Sequence, residues 1–353
     1  MKSFYVAVLL LCAAGAPVPR AGAQSAGLLI GDVVARETGA PLAHAMVTIV
    51  SGGRQTFSSD AGVFGFREIP PGKWQLHVTH LGFAPADVVV DVPASGATPR
   101  VKVLLTHLSV RLAMDKVIAK PVCTNPGRPD PAASPDLFAI VQQVRMNAEQ
   151  YQLLADSFPF VHRVERVHRL VHADSSRTRP EIDTVNMRSD LHGWEYQMGE
   201  VVERERDGHY VMHLPELRDF AGIQFLNNHC FWYAGVDSTR DGRFIRIDFR
   251  ADDQIRKPDV NGTIWLDATS YQIHMADLEL SRMIPDVPEI TSVHVRTMFT
   301  EVAPSIVIID RVIGTNTLKH GWGWWATVAA IEEQHMTQFA WMRNDPRKAA
   351  VQP

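Results

Sequence analysis

From residue 28 to residue 106 the chain is cut by Gly, Pro and Asp into seven short runs rich in β-branched and aromatic residues. This spacing constrains the fold more than any other feature. The runs cover 28–35, 45–50, 55–58, 63–67, 74–79, 87–92 and 101–105. Short runs at roughly 8–12 residue intervals predict a seven-stranded antiparallel β-sandwich. The turn chemistry agrees. Gly39 follows Thr38, and Gly62 follows Asp60 and Ala61, in reversals where glycine takes a positive φ. Pro70 and Pro71 end one strand, because proline has no N–H for a ladder, and Gly72 turns into the next. Val47, Ile49, Phe64, Phe66, Trp74, Leu76 and Val78 alternate as one buried face requires.

The same residues carry a resemblance. Gly31-Asp32-Val33 precedes Thr38-Gly39-Ala40-Pro41-Leu42 and Ala45-Met46-Val47-Thr48-Ile49. Ser59-Asp60-Ala61-Gly62-Val63-Phe64-Gly65-Phe66, Ile69-Pro70-Pro71-Gly72-Lys73-Trp74 and Leu81-Gly82-Phe83 follow. As a set they resemble the carboxypeptidase regulatory-like domain, a transthyretin-like sandwich with a carbohydrate-binding-like fold. The resemblance implies an accessory, non-catalytic module of the kind found in many bacterial envelope proteins. The peptidase zinc motif belongs to a neighbouring domain in that family, and this chain has no His-Glu-x-x-His. His213-Leu214-Pro215-Glu216 has a His-x-x-Glu spacing, but Pro215 interrupts it.

The first 23 residues read as a signal peptide. Lys2 supplies a positive start, Val6 to Ala16 form an apolar run, and Ala21-Gly22-Ala23 is a small-residue cleavage site. Leu9-Leu10-Leu11-Cys12 has the outline of a lipoprotein signal, but the residue before the cysteine should be small and Leu11 is not. No second stretch reaches the ~18 apolar residues of a membrane span. Cleavage removes Lys2 and Arg20, leaving 33 basic against 39 acidic residues, a net of −6. Such a balance gives no reason to expect nucleic acid or an anionic membrane as partner.

Cleavage also removes Cys12 and leaves Cys123 and Cys230. Two cysteines in an exported chain are usually a disulfide. Their pairing would close a loop with a sequence separation of 107, for which chain entropy gives roughly 4–5 kcal/mol. Two buried free thiols, or metal ligation, are the alternatives. Cys123 lies in a proline-rich stretch, 111–135, that reads as a linker; its pairing would pin that linker to the second domain.

Residues 136–345 read as an α+β domain. Leu137, Ile140, Val141, Val144, Ala148 and Tyr151 recur at helical spacing after the Ser134-Pro135-Asp136 start, predicting a helix to about residue 156. Strands are expected at 160–173, 181–188, 195–206, 210–213, 231–236, 243–251, 260–267, 270–281, 290–302, 306–317 and 323–342, the last broken near 332–335. A helix followed by long hairpins predicts a curved antiparallel sheet with the helix on its concave side. Gly262-Thr263-Ile264-Trp265-Leu266-Asp267 and Tyr271-Gln272-Ile273 resemble the meander of lipoprotein-carrier-like half-barrels. That resemblance implies a cup for an apolar, lipid-like ligand.

No catalytic constellation emerges. His162, His168 and His172 share a strand face but are too far apart for one ion, and Arg163, Arg166 and Arg169 interleave with them; a solvated basic face is expected. His209, His213, His229, Glu216 and Asp219 form a looser group. His229 beside Cys230 invites a thiol reading, against which stands the disulfide. Neither Gly-x-Ser-x-Gly nor a phosphate-binding Gly-x-x-x-x-Gly-Lys occurs, and paired acids such as Asp252-Asp253 and Glu332-Glu333 face opposite ways on a strand. Trp322, Trp324 and Trp325 form a candidate ligand platform, or else plug the base of the sheet. The expectation is a periplasmic, outer-membrane-associated or extracellular binding or adaptor protein without cofactor or metal. Its ligand would be an envelope protein, a glycan or an apolar molecule. A carrier of an apolar ligand and a hydrolase with an unrecognised site are the alternatives.

Overall fold

A computed structural model describes residues 27–94, 100–110, 122–191, 193–206, 208, 210–303, 306–319, 323 and 326–342. The expected signal peptide at 1–23, residues 111–121 of the linker, His209, and Trp322, Trp324 and Trp325 lie outside these residues.

The N-terminal strands are β1 (Gly27–Ala35), β2 (Met46–Ile49), β3 (Gln55–Phe57), β4 (Val63–Ile69), β5 (Gly72–Thr79), β6 (Phe83–Ala84), β7 (Ala86–Val92) and β8 (Val101–His107). They form two four-stranded sheets, ordered β4-β1-β8-β6 and β3-β2-β5-β7. All seven expected strands are present, and the two-residue β6 is an addition. One pairing departs from the antiparallel pattern: β1 and β8 run parallel. The inner faces meet in a core built from Leu29, Ile49, Phe64, Phe66, Leu76, Val78 and Leu105. Trp74 is only half-buried, because its indole N–H reaches out to the Pro70 carbonyl at 2.8 Å. The expected turn glycines Gly39, Gly62 and Gly72 have φ of 68, 75 and 138°. Gly62 closes the turn containing Asp60 by donating to the Ser59 carbonyl at 2.7 Å.

The C-terminal part opens with helix α1 (Pro135–Ser157) and continues as β9 (Phe160–His172), β10 (Glu181–Arg188), β11 (Val202–Arg204) and β12 (Tyr210–Met212). A 3-10 turn (Leu217–Ala221) and helix α2 (Ile223–Asn228) follow. The chain then runs through β13 (His229–Ser238), β14 (Arg243–Ala251), β15 (Val260–Asp267), β16 (Ile273–Leu280), β17 (Ile290–Ala303), β18 (Ile306–Leu318) and β19 (Thr327–Trp341). Nine of these strands make one open antiparallel sheet in the order β10-β9-β19-β18-β17-β16-β15-β14-β13. From β14 to β19 each strand pairs with its predecessor in sequence. The exception is β9, which crosses to the far side and pairs with β19.

Three expectations change. The strand at 195–206 shrinks to β11, because Tyr196 leaves the ladder for the core: its N–H donates to Asp219 Oδ1 at 3.0 Å and its hydroxyl to Asp259 Oδ2 at 2.9 Å. The strand at 270–281 starts later, because Asp267 Oδ1 accepts the N–H groups of Thr269 and Ser270 and holds a turn there. The break near 332–335 does not occur; β19 is continuous, with a bulge between Met336 and Gln338.

Helix α1 lies on the inner face of the sheet. Ile140, Val141, Val144 and Ala148 join Ile247, Phe249, Ile264, Leu266, Ile273 and Leu278 in a core separate from that of the sandwich. Buried Asn147 sews the helix to the β15–β16 turn. Its Nδ2 donates to the carbonyls of Gln143 and Tyr271, and its Oδ1 accepts the Ile273 N–H at 2.9 Å. Next to it the sandwich docks. Gly82 N–H donates to buried Gln143 Oε1 at 2.8 Å, and the Tyr271 hydroxyl donates to the Leu108 carbonyl at 3.2 Å. Gly82 has φ +79°, and a Cβ there would meet the Thr269 and Ser270 carbonyls at about 3.4 to 3.5 Å.

Candidate functional site: a cavity between the helix and the sheet

Toward the C-terminal end of α1, where Ala155 packs on Phe160 and Ile308, lies a cavity of about 240 Å³. Tyr151 and Ala155 of the helix form one wall. Phe160 and Val164 of β9, Phe299 of β17, Ile308 and Val312 of β18 and Met336 of β19 form the floor. The strap leading into the 3-10 turn, with Leu214 and Leu217, closes one side. Met187 and Leu191, 45% and 67% exposed, mark the open side. The pattern follows from the sheet register: Val185 faces Val164 and Met187 faces His162 across β9–β10, so alternate residues of neighbouring strands look the same way.

Into this apolar lining project a few polar groups. Arg188 is held by Asp190, with Nε to Oδ1 at 2.9 Å and Nη2 to Oδ2 at 2.7 Å. Arg218 is held by Glu216 at 3.2 Å and also donates to the Trp194 carbonyl at 3.0 Å. His162 turns inward; its Nδ1 is buried without a hydrogen-bond partner among the described residues, and burial pushes the ring below the ordinary histidine value. Burial, with the charge of Glu216 nearby, pushes the Tyr151 phenol up to about 12. Asp310 of β18 is the extra residue of a bulge: Ile309 pairs with Phe299 and Arg311 with Met298, leaving Asp310 out of the β17 ladder and in the cavity wall. A bulge re-aims a side chain in this way.

The other sequence candidates are placed as follows. The face that carries His162 is a cavity wall rather than a solvated basic surface. Farther along β9 the same face becomes a polar shelf, where Arg166 pairs with Asp183 beside His168, Glu181 and Glu332. Cys123 and Cys230 are joined in a disulfide with Cα atoms 5.5 Å apart. The neighbouring His229 is fully buried. Its ring nitrogens face the Phe225 and Val260 carbonyls at 2.8 and 3.0 Å, so neither is available to a thiol or a substrate. His213 stacks on Trp194 and meets Glu203 at 3.0 Å, while Glu216 caps the 3-10 turn. Buried Asp219, raised by desolvation, accepts the backbone N–H groups of Tyr196 and Glu216. Among the described residues no three His, Cys, Asp or Glu side chains converge on a metal position, and no helix is long and apolar enough to cross a membrane.

Sequence reasoning missed Asp310. The signal was present, since it is the one acid inside the apolar run Ile306-Val307-Ile308-Ile309-Asp310-Arg311-Val312-Ile313. Alternation alone does not say which face a bulge gives such a residue.

Residues 29–106 match the family described as the carboxypeptidase regulatory-like domain, and the match spans the sandwich from β1 to β8. No curated protein matches the chain. Solved structures similar to it include a putative outer membrane lipoprotein-sorting protein domain from Vibrio parahaemolyticus, with 9% identity, a TM-score of 0.29, and coverage of 56% of this chain and 94% of that one. A LolA superfamily protein from Nitrosomonas europaea has 11% identity and a TM-score of 0.30, over 60% of this chain and 97% of that one. A DUF1329 family protein from Desulfovibrio piger has 7% identity and a TM-score of 0.31, over 60% and 99%. Overlaps this loose leave function to be read from the chain's own residues.

Proposed function

We propose that this is an exported envelope binding protein that holds an apolar molecule between α1 and the inner face of its nine-stranded sheet. The carboxypeptidase regulatory-like sandwich would serve as an accessory module. On this reading residues 24–110 and 136–345 are its two working units, joined by the disulfide-pinned stretch between them. The observation that carries the proposal is the cavity itself: an apolar hollow with an exposed methionine and leucine at its mouth, where a close-packed interior would be filled. At ~30 Å³ per water-sized group, about 240 Å³ admits roughly eight such groups, the bulk of one short aliphatic chain. The lining offers surface for burial and, among the described residues, no nucleophile held by a base, so binding and release suit it better than chemistry.

The test is uptake of the neutral apolar fluorophore N-phenyl-1-naphthylamine. Its emission should rise with the native chain. Binding should weaken at least about tenfold in Val312→Trp, which fills the cavity from half-buried β18. Unchanged uptake by that variant would place the apolar site elsewhere.

A further inference from the structure

We infer that the cavity selects an amphiphile with a cationic, ammonium-type head, and that Asp310 is the group that receives it. This rests on the apolar-binding reading above and adds the head-group chemistry.

The charges lining the cavity are not equivalent. Arg188 and Arg218 each have a carboxylate of their own, Asp190 and Glu216, so neither cation is left over for an anionic ligand. Asp310 has neither an ion pair nor a hydrogen-bond donor among the described residues. It is half-buried, set by the bulge between Phe299 and Ile308 on one side and Val312 on the other. A carboxylate set beside apolar walls and without a partner is open to a donor cation, and a charge-assisted hydrogen bond is the stronger kind. His162 does not supply that cation, because burial opposes its protonation. The shelf beyond the cavity has the same sign: among the described residues lining it, Glu181, Asp183 and Glu332 outnumber the one permanently charged cation, Arg166. A ligand tail along Leu191, Val312 and Met336, with an N–H-bearing cation at Asp310, matches this lining. A carboxylate or phosphate head would meet a like charge.

The test uses three eight-carbon probes that differ only in the head: octylammonium, octanol and octanoate. Calorimetric titration of the full chain should rank them in that order, with octylammonium at least about tenfold tighter than octanol, as a charge-assisted hydrogen bond predicts. In Asp310→Asn the two should become nearly equal, because octylammonium loses its advantage. Octanol binding with no ammonium advantage, or an advantage that survives Asp310→Asn, would overturn the head-group assignment and leave the apolar site standing. Octanoate binding best would also overturn it and transfer the head group to the arginines. Failure of all three probes would remove both readings. The ranking on the native chain decides the matter even if the variant folds poorly.

Discussion

At the scale of single residues, Asn147 does more than its size suggests. Of three buried hydrogen bonds from one side chain, two fix α1 to the β15–β16 turn and the third closes on Gln143 of the helix itself. Asn147→Leu keeps the branched shape and leaves the Ile273 N–H and Tyr271 carbonyl unpaired, so it should cost about 2–4 kcal/mol in urea unfolding. A pH effect belongs here too. Burial pushes His44 and His80 below their ordinary value of 6.5, in His44 against the nearby carboxylates of Asp60 and Glu301. Below about 6.5 the unfolded chain takes up protons that the folded chain refuses, so stability falls with acidification, by at most ~1.4 kcal/mol per pH unit for each ring. The loss levels off once pH passes the folded values. Urea midpoints measured between pH 7.5 and 5 should show this slope, and His44→Asn, which suits the backbone there at φ 57°, should flatten it. What the sequence revealed at this scale was the turn residues, whose backbone demands are local. What it hid was Asp310 and His162, whose meaning depends on which wall of the cavity they face.

At the scale of elements, the disulfide joins two links that would otherwise be weak. Cys123 is buried, its carbonyl accepts the Asp253 N–H at 3.0 Å, and Gly127 N–H donates to the His229 carbonyl at 3.0 Å. The stretch that reads as a loose linker therefore lies packed against the end of edge strand β13. Cys123→Ser with Cys230→Ser should lower stability by roughly 4–5 kcal/mol on the chain-entropy account, measured by denaturation, and intact mass with and without reductant checks the bond. A second element-level outcome concerns β15. A Cβ on Gly262 would lie 2.3 Å from the Asp277 carbonyl and 2.7 Å from the Phe249 ring, so Gly262→Ala should cost about 1–3 kcal/mol. Strands announced themselves in the sequence wherever one face is wet and the other dry, as in β14 and β16. The stretch around Tyr196 and the two short helical turns did not, because aromatic packing and side-chain hydrogen bonds set their course rather than any period.

At the scale of the whole molecule, the sandwich is attached to the helix that walls the cavity. Gln143→Ala should release the Gly82 amide, raising its hydrogen exchange while the amides of β2 and β5 keep their protection. The pairing of β9 with β19 lies outside what composition and period can show, since neither encodes which strands meet. That pairing has a consequence for the timing of assembly. The cavity floor needs Phe160 and Val164 beside Met336, residues that leave the ribosome more than a hundred and fifty codons apart. Hairpins from β13 onward can zip in order of synthesis, but the hollow exists only when the last long strand slots between β18 and β9. Until β19 is in place there is no floor for the hollow, so any occupancy of it awaits that strand.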